Sequence, residues 1–194
     1  MSNVVQRCSW VSNDPLYQSY HDNEWGRPEL ESQPLFEKLC LDGQQAGLSW
    51  ITILKKQPAY RAAFHQFDPQ RVAAMTEEEL LACMENKGIV RNKLKIHSIV
   101  KNAKAYLDIE NTASFSDFIW QFTKGKTIIN EWASPQQIPT STDESKAMSK
   151  ALKKRGFTFV GETICYAFMQ AVGMVNDHQT NCHCYEEVCK QARR

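Results

Sequence analysis

The chain has 194 residues and a formal net charge of +1, a length that suits one compact unit able to divide into two helical lobes. No stretch approaches the roughly 20 apolar residues that a transmembrane helix needs, and residues 1–12 lack the apolar segment of a signal peptide, which argues against a membrane role and predicts a cytoplasmic protein. The balanced charge argues against binding nucleic acid through bulk charge, so any such contact has to come from local clusters.

Capping signals and helical spacing recur along the chain, whereas the alternation typical of strands is scarce. Ser32, followed by Pro34 and by apolar residues at helical spacing, predicts a capped amphipathic helix. Thr76 and Glu79 have the spacing of a capping box, and Gly88 is expected to stop the helix that they open.

Two more helices are predicted in the middle of the chain. Asn92 can cap a helix in which apolar residues alternate with basic ones, and Ser114 can cap a shorter helix through Phe122. The basic residues of the longer helix are Lys93, Lys95, Lys101 and Lys104. Periodicity is lost between residues 123 and 142, which predicts a surface connection rather than a domain boundary. The fold class is therefore predicted to be all-α.

Residues 145–173 have the pattern of two helices joined by a short hairpin. Gly156 ends the first helix, and the second is expected to run from Glu162 to Val172 and to close at Gly173. One face of the first helix carries Lys146, Lys150, Lys153 and Lys154. Such a helix-hairpin-helix can present backbone N–H groups and a helix N-terminus to a DNA phosphate. A lysine stripe also suits a merely solvated face, so the pattern alone leaves both interpretations open.

Cysteine and histidine residues cluster at the two ends of the chain. The seven cysteines of an intracellular protein favour metal binding or simple burial over disulfides. Cys8 and His21 lie near one end, and His178 and Cys182 near the other, four residues apart as on one face of a helical turn. Four such ligands would close a tetrahedral shell around a structural zinc ion that joins the two ends. Spacing alone does not choose the last ligand among Cys182, His183 and Cys184.

Aromatic residues are dense in the first fifty positions, and one carboxylate lies among them. The rings belong to Trp10, Tyr17, Tyr20, Trp25 and Trp50, and the carboxylate is that of Asp42. Aromatic faces with one acceptor are what a pocket needs to hold a flat cationic base. Ordinary core packing is the alternative, and Asp42 inside an apolar site would then need a partner.

Six segments carry a more specific signal: RCSWV (7–11), DPLY (14–17), YHDNEWG (20–26), GQQAGLSW (43–50), KKRGF (153–157) and VNDH (175–178). Together they closely resemble the bacterial 3-methyladenine DNA glycosylase I family, and the likeness runs from about Cys8 to Cys184. The resemblance implies an all-helical, zinc-binding member of the helix-hairpin-helix glycosylase superfamily.

The resemblance also assigns residues by motif match. The implied zinc ligands are Cys8, His21, His178 and Cys182. The implied base-pocket residues are Trp10, Tyr17, Tyr20, Asp42 and Trp50. The family usually has a glutamate before Gly-Gln-Gln, and the aspartate at position 42 is one methylene shorter, so its reach toward the base differs. The superfamily often has a catalytic aspartate near position 177, which this family is thought to lack, so Asp177 is predicted to be structural.

The implied reaction is hydrolysis of the N-glycosidic bond of 3-methyladenine in double-stranded DNA, after the base has flipped out of the duplex. The DNA contacts are predicted at Lys153, Lys154, Arg155 and Gly161. No catalytic residue is assigned. No lysine lies among the pocket segments, which predicts base removal without a lyase step and strand cleavage. We expect a monomer that acts without a protein partner.

Two other function classes compete with a glycosylase. One is a zinc-stabilised DNA-binding module whose pocket is inactive, and the departure at position 42 is what favours it. The other is a zinc hydrolase of small molecules, which would need an open metal position and a nearby general base.

Overall fold

The structure is a computed structural model that describes residues 5–193, so the ends of the predicted unit, residues 1–4 and 194, lie outside the described residues. Within that range the chain forms ten α-helices and one small parallel sheet. The helices are α1 Pro15–Asn23, α2 Ser32–Gln45, α3 Trp50–Ala63, α4 Pro69–Ala73, α5 Glu77–Glu85, α6 Lys93–Glu110, α7 Phe115–Trp120, α8 Asp143–Lys154, α9 Glu162–Ala171 and α10 Tyr185–Gln191. The strands are β1 Ile128–Ile129 and β2 Val175–Asn176. The prediction of a helical fold is confirmed, and none of the helices described between residues 5 and 193 could cross a membrane.

Three of the predicted helix starts are present as expected. The Thr76 hydroxyl accepts from Glu79 N, and the Glu79 carboxylate accepts from Thr76 N, which completes the capping box of α5. Asn92 Oδ1 accepts from Lys95 N at 3.1 Å, and the Ser114 side chain accepts from the first turn of α7. These starts were predictable because each is a contact within a few residues of sequence.

Two predicted boundaries are wrong. Ser32 is the first residue of α2 rather than its cap, and Glu31 holds the cap position without a side-chain hydrogen bond. The Ser32 hydroxyl instead accepts from Ser116 N at 3.1 Å, which ties α2 to α7. Helix α5 ends at Glu85, before Gly88, which lies in the following turn. The first difference comes from a tertiary contact, whereas at the end of α5 Gly88 N donates to Asn86 Oδ1 at 2.8 Å within the turn itself.

Helix α2 is central to the fold and positions the site. It packs against α3, α6, α7 and α9, and Leu35, Phe36 and Leu39 are fully buried. At its C-terminal end Lys95 donates to Gln44 O at 2.8 Å and to Ala46 O at 2.6 Å. Lys95, one of the basic residues of α6, is therefore buried, and its ammonium satisfies carbonyls that the end of α2 leaves unpaired.

Helices α8 and α9 pack against each other and are joined by residues 155–161. Gly156, with φ +94°, follows the end of α8. Helix α9 ends at Ala171, one residue earlier than predicted. Gly173, two residues later, has φ +72°, and a Cβ atom at this position would clash with Pro28 N. Glycine is therefore required at position 173 both by its backbone conformation and by this close approach.

The connection between residues 123 and 142 is more ordered than predicted. It contains β1, which pairs in parallel with β2 in the register Ile128 to Val175, and a short 3-10 turn at Pro135–Gln137. This pairing brings the connection beside the segment that leads to α10.

Candidate active site and metal centre

A cavity of about 410 Å³ lies between the aromatic N-terminal segment, α2, α9 and the connection that follows β1. Its lining includes each residue that the sequence assigned to the pocket, namely Trp10, Tyr17, Tyr20, Asp42 and Trp50. The volume lies within the range of roughly 300–1,000 Å³ that is common for small-molecule sites. The rings therefore line a cavity instead of filling a solid core.

The rings of the cavity form two groups. Trp10 contacts Tyr17 and Trp25, each with ring centroids 5.0 Å apart, and Tyr20 contacts Trp50 at 5.6 Å. Tyr20 is buried, whereas Trp10, Tyr17 and Trp50 are only partly buried. Partly covered rings on a cavity wall offer surface on which a flat ligand can stack.

Asp42 places a carboxylate in the wall of this cavity. The residue is 3% exposed and lies on α2, where Lys38, one turn earlier, forms an ion pair with Oδ1. Among residues 5–193, the buried side-chain polar atoms without a hydrogen-bond partner are Asp42 Oδ2 and Trp50 Nε1. Unpaired buried polar atoms are rare in native proteins, so this oxygen is free to bind a ligand. Burial raises the pKa of Asp42, and the charge of Lys38 opposes the shift.

Lys38 corrects one step of the sequence argument. Its side chain lines the cavity, and Nζ lies 3.9 Å from the centre of the Trp50 ring. Burial lowers the pKa of Lys38, while the charge of Asp42 acts in the other direction. The pocket segments contain no lysine, but the inference that the pocket itself has none is therefore wrong. Lys38 was missed because it lies outside the matching segments, although its i, i+4 spacing to Asp42 was a signal that could have revealed it.

Two further walls of the cavity were also missed. Helix α9 contributes Thr163, Tyr166 and Gln170, which lie on one helical face. The connection contributes residues around Pro135 and Thr140. The spacing on α9 was visible in the sequence, whereas nothing local indicated that the connection folds over the pocket.

Asp177 holds the α9 wall in place. It is 1% exposed and accepts from Tyr166 Oη at 2.5 Å and from Gln170 Nε2 at 2.9 Å. Its other oxygen accepts from Asn130 Nδ2 at 2.7 Å and Trp132 Nε1 at 2.8 Å. Donors thus occupy both oxygens, and Asp177 does not itself line the cavity.

The Gly-Gln-Gln motif positions the end of α2. A Cβ atom at Gly43 would lie 3.0 Å from Phe159 Cβ, so glycine allows α2 to approach the turn between α8 and α9. The Gln44 amide donates to Lys95 O at 2.9 Å, and the Tyr60 hydroxyl donates to Gln44 Oε1 at 3.2 Å. Of these motif residues Gln45 lines the cavity.

A second site brings the two ends of the chain together. Cys8, His21, His178 and Cys182 are all buried, and their ligand atoms lie within 4.8 Å of one another. Cys182 Sγ is 3.5 Å from His21 Nε2 and from His178 Nδ1, and Cys8 Sγ is 3.5 Å from His178 Nδ1. Two thiol and two imidazole donors form a set that can hold a metal ion, and zinc prefers such a set.

Hydrogen bonds outside this cluster orient both imidazoles. His21 Nδ1 lies 2.8 Å from Asp22 Oδ1, and His178 Nε2 donates to Trp25 O at 3.1 Å, so the other ring nitrogens face the cluster. Burial alone would raise the pKa of Asp22, but hydrogen bonds from Arg7 and His21 hold it well below its usual value.

The expected helical turn from His178 to Cys182 is wrong. The segment between β2 and α10 is a series of turns, in which Cys182 N donates to Gln179 O at 2.8 Å. The chain cannot continue α9 into this segment because Gly173 ends the helix and β2 pairs with β1. A second group, His21, Asp22, His183 and Cys184, overlaps the first.

The residues predicted to contact DNA flank the turn between α8 and α9. Lys153, Lys154 and Arg155 are exposed at the end of α8. Gly161 is the N-cap of α9, makes no side-chain cap, and has open space where a Cβ atom would point.

A helical protein with an aromatic, carboxylate-containing cavity beside two helices joined by a basic turn has the features of a DNA glycosylase. Comparison with known proteins shows which glycosylases it is related to. The family model described as methyladenine glycosylase matches residues 10–185, and the chain belongs to this family.

The relatives support the same conclusion over most of the chain. The DNA-3-methyladenine glycosylase of Haemophilus influenzae is 58% identical over 182 residues, which are 93% of this chain and 98% of the relative. DNA-3-methyladenine glycosylase 1 of Escherichia coli is also 58% identical, with 93% and 97% covered. A crystal structure of a 3-methyladenine DNA glycosylase I has a TM-score of 0.92 at 61% identity and covers 93% of this chain and 100% of that one.

The chain is therefore an enzyme, a glycosylase that removes 3-methyladenine in the base-excision repair of alkylated DNA. The resemblance inferred from the six segments is confirmed. The inactive binding module and the small-molecule zinc hydrolase are set aside.

Proposed function

We propose that the aromatic cavity receives the methylated adenine after it has flipped out of the duplex. The main support for this proposal is Asp42 Oδ2, a buried acceptor that has no hydrogen-bond partner among the described residues. It belongs to the wall of a cavity lined by aromatic rings. The base stacks on Trp and Tyr faces, and Asp42 accepts a hydrogen bond from it, directly or through water.

The chemistry follows from the charge of the base. N3-methylation makes adenine cationic, so the base leaves as a neutral molecule and needs no strong acid. Binding that favours the transition state then supplies most of the rate, and water attacks the developing sugar cation. Methylated bases stack and pair poorly, which lowers the cost of extrusion and helps selection. No side chain is assigned as a catalytic acid or base.

The pair of helices α8 and α9 is proposed as the DNA contact, in the manner of a helix-hairpin-helix. Lys153, Lys154 and Arg155 bring positive charge to the turn, and the N–H groups at Gly161 face a phosphate. The same helix carries Thr163 into the cavity, only two residues further on. A phosphate contact at the turn would therefore fix the DNA relative to the base pocket.

The Cys8, His21, His178 and Cys182 cluster is proposed to hold a structural zinc ion. The donor set, the complete burial of the four side chains and the hydrogen bonds that orient both imidazoles support this proposal. Four protein ligands leave no position for a reactive water, so the ion would contribute stability and no step of the reaction. It would tie the segment that carries Trp10 to the C-terminal segment.

We also propose that the base is removed without strand cleavage. The reason is no longer that the pocket lacks a lysine, but where the ammonium of Lys38 lies. Lys38 is in the cavity, but its ammonium is paired with Asp42 and lies on the Trp50 ring, which is the place of the base and not of the sugar. A Schiff base with the sugar would need a free neutral amine at the sugar. We also propose that residues 1–194 act as one unit and as a monomer, because the cavity walls come from distant parts of one chain.

A base-release assay on methylated duplex DNA tests the pocket. Asp42→Asn should release 3-methyladenine much more slowly than the unchanged protein while binding DNA equally well. Release at the unchanged rate would contradict the pocket proposal. Borohydride reduction during turnover should trap no enzyme–DNA adduct, and a trapped adduct would contradict the monofunctional mechanism.

A further inference from the structure

Lys38 stands in the wall between two cavities. The base cavity and a second cavity of about 310 Å³ share Tyr20, Lys38 and Ala171 among their lining residues. The second cavity is also lined by three glutamates, Glu24, Glu29 and Glu37. A side chain in this position can direct its ammonium into either space.

Two of these glutamates already accept hydrogen bonds. Glu29 Oε1 accepts from Glu31 N at 2.8 Å. Arg61 Nε donates to Glu37 Oε1 at 2.7 Å, and Gln57 also donates to that oxygen. Glu24 makes no ion pair with any of residues 5–193, although its negative charge acts on Lys38. Glu24 is therefore the free partner for a cation that leaves the base cavity.

The ammonium of Lys38 now makes the two contacts that a cationic base would use. It pairs with Asp42 and lies over the face of Trp50, 3.9 Å from the ring centre. A second positive charge at the same carboxylate and the same ring would be repelled strongly in a site of low dielectric constant. The cationic base and the ammonium therefore compete for one place.

We propose that Lys38 is a positioning residue that acts as a placeholder cation: it keeps Asp42 ionised in the empty cavity and moves toward Glu24 when the cationic base enters. The inference rests on the proposed base pocket. Lys38 and Asp42 then act together: the ammonium keeps the carboxylate charged, and the cationic base takes the place of the ammonium at that carboxylate. The long, flexible lysine side chain allows the movement without a change in α2.

The placeholder has a consequence for pH dependence. Burial favours the protonated form of Asp42, and Lys38 opposes this effect. The other titratable groups nearby are Tyr17 and Tyr20 from α1, Glu24 directly after α1, Glu37 from α2, Arg61 from α3, and Cys165 and Tyr166 from α9.

Three of these neighbours, Tyr20, Tyr166 and Cys165, do not titrate in the pH range of such a test. Burial raises the pKa of Tyr20 and Tyr166 above the ordinary value, and raises that of Cys165 to about 12, so all three stay neutral. Burial also raises the pKa of Glu24. A Lys38→Met, Glu24→Gln double variant therefore separates the two titrations: an added pH dependence that comes from Asp42 should persist in it, and one that comes from Glu24 should disappear.

The test is single-turnover base release from methylated duplex DNA between about pH 5 and about pH 9, a range that lies above the ordinary pKa of an aspartate, in the direction of the shift that burial causes. Lys38→Met should lose activity by about tenfold per pH unit as the pH falls through the pKa of Asp42, because one proton then inactivates the acceptor. Lys38→Arg, which restores the charge, should remove this added dependence. Glu24→Gln should release base more slowly than the unchanged protein, without the added dependence.

Several results would overturn the inference. If base release by Lys38→Met has the same pH profile as release by the unchanged protein, the lysine has only a structural role. If Glu24→Gln releases base at the unchanged rate, the proposed movement of Lys38 toward Glu24 is contradicted. Lys38→Gln carries the same test if the methionine variant does not fold. If Asp42→Asn releases base at the normal rate, the proposed base pocket is wrong. If Asp42→Asn releases base slowly but the Lys38 variants keep the pH profile of the unchanged protein, only the placeholder role of Lys38 is wrong.

Discussion

The backbone carbonyl of Trp25 accepts a hydrogen bond from His178 Nε2 at 3.1 Å, and the Trp25 ring lines the base cavity. The Trp10 ring also contacts His21, with centroids 5.3 Å apart. One side of the cavity therefore rests directly on the cysteine–histidine cluster. Loss of the metal proposed for that cluster should loosen the pocket without removing any group that contacts the reacting bond.

Metal analysis and a Cys8→Ala variant test the role of the cluster. We expect one zinc ion per chain, and Cys8→Ala should lower the stability by on the order of 3 kcal/mol, because loss of a metal ligand is among the most damaging single changes. For a chain of this size that is a fall in Tm of about 6–12 °C. Cys189→Ala is the control, since Cys189 is outside the proposed ligands. Full stability with lost turnover would indicate a catalytic metal instead.

Trp50→Ala tests stacking in the cavity. Removing a ring on which a base stacks costs about 1–3 kcal/mol, which predicts roughly 5- to 150-fold weaker kcat/KM for release of 3-methyladenine. Affinity for undamaged DNA should stay the same in a fluorescence-anisotropy titration. Leu94→Ala, at an exposed position of α6, is the control for an apolar truncation away from the cavity. Equal release by the Trp50 variant and the unchanged protein would remove this ring from the pocket.

The basic turn makes a prediction about salt dependence. A Lys153→Ala, Lys154→Ala double variant should bind DNA more weakly and reduce the slope of log K against log salt by about 2, close to one for each lost phosphate contact. Base release at saturating enzyme should change little. Lys146→Ala is a matched control on the same helix, because Lys146 is also exposed and lies seven residues before Lys153, away from the loop between α8 and α9. An unchanged slope in the double variant would contradict the proposed DNA contact.

Asp177→Asn separates a structural from a catalytic aspartate. Asparagine keeps one acceptor oxygen and replaces the other with an NH₂ group. The two donors at the replaced oxygen would then lose their partner, and they are either Tyr166 and Gln170 or Asn130 and Trp132. Leaving buried donors unsatisfied costs about 1–3 kcal/mol. Chemical denaturation should show this loss, while the folded variant keeps most of its turnover. A stable variant with no turnover would make Asp177 catalytic.

The sequence predicted those parts of the molecule that depend on near neighbours in the chain. The Thr76 and Asn92 caps are contacts within one turn of a helix, and the aromatic pocket residues lie within the first fifty positions. Lys38 was missed because it lies outside the matching segments. Its spacing of four residues from Asp42 places both side chains on one face of α2, so the sequence did contain this signal.

Long-range pairing explains the remaining differences. The turn from His178 to Cys182 was expected to be helical because four-residue spacing is typical of helices. The pairing of Ile128 with Val175 instead holds residues 175–176 extended, and the residues from His178 to Cys182 that follow form turns. The same pairing anchors the connection whose later residues, near Pro135, close one wall of the cavity. Neither contact leaves a periodic signal in the sequence.

The most direct test of the base pocket is an NMR titration with free 3-methyladenine that follows the indole N–H signals of the five tryptophans. We predict saturable changes at Trp10 and Trp50. The signals of Trp120 and Trp132 should stay in place, because their indole N–H groups are bonded to Glu29 O and to Asp177 and lie outside the cavity lining. Saturable binding that leaves Trp10 and Trp50 unchanged would contradict the account.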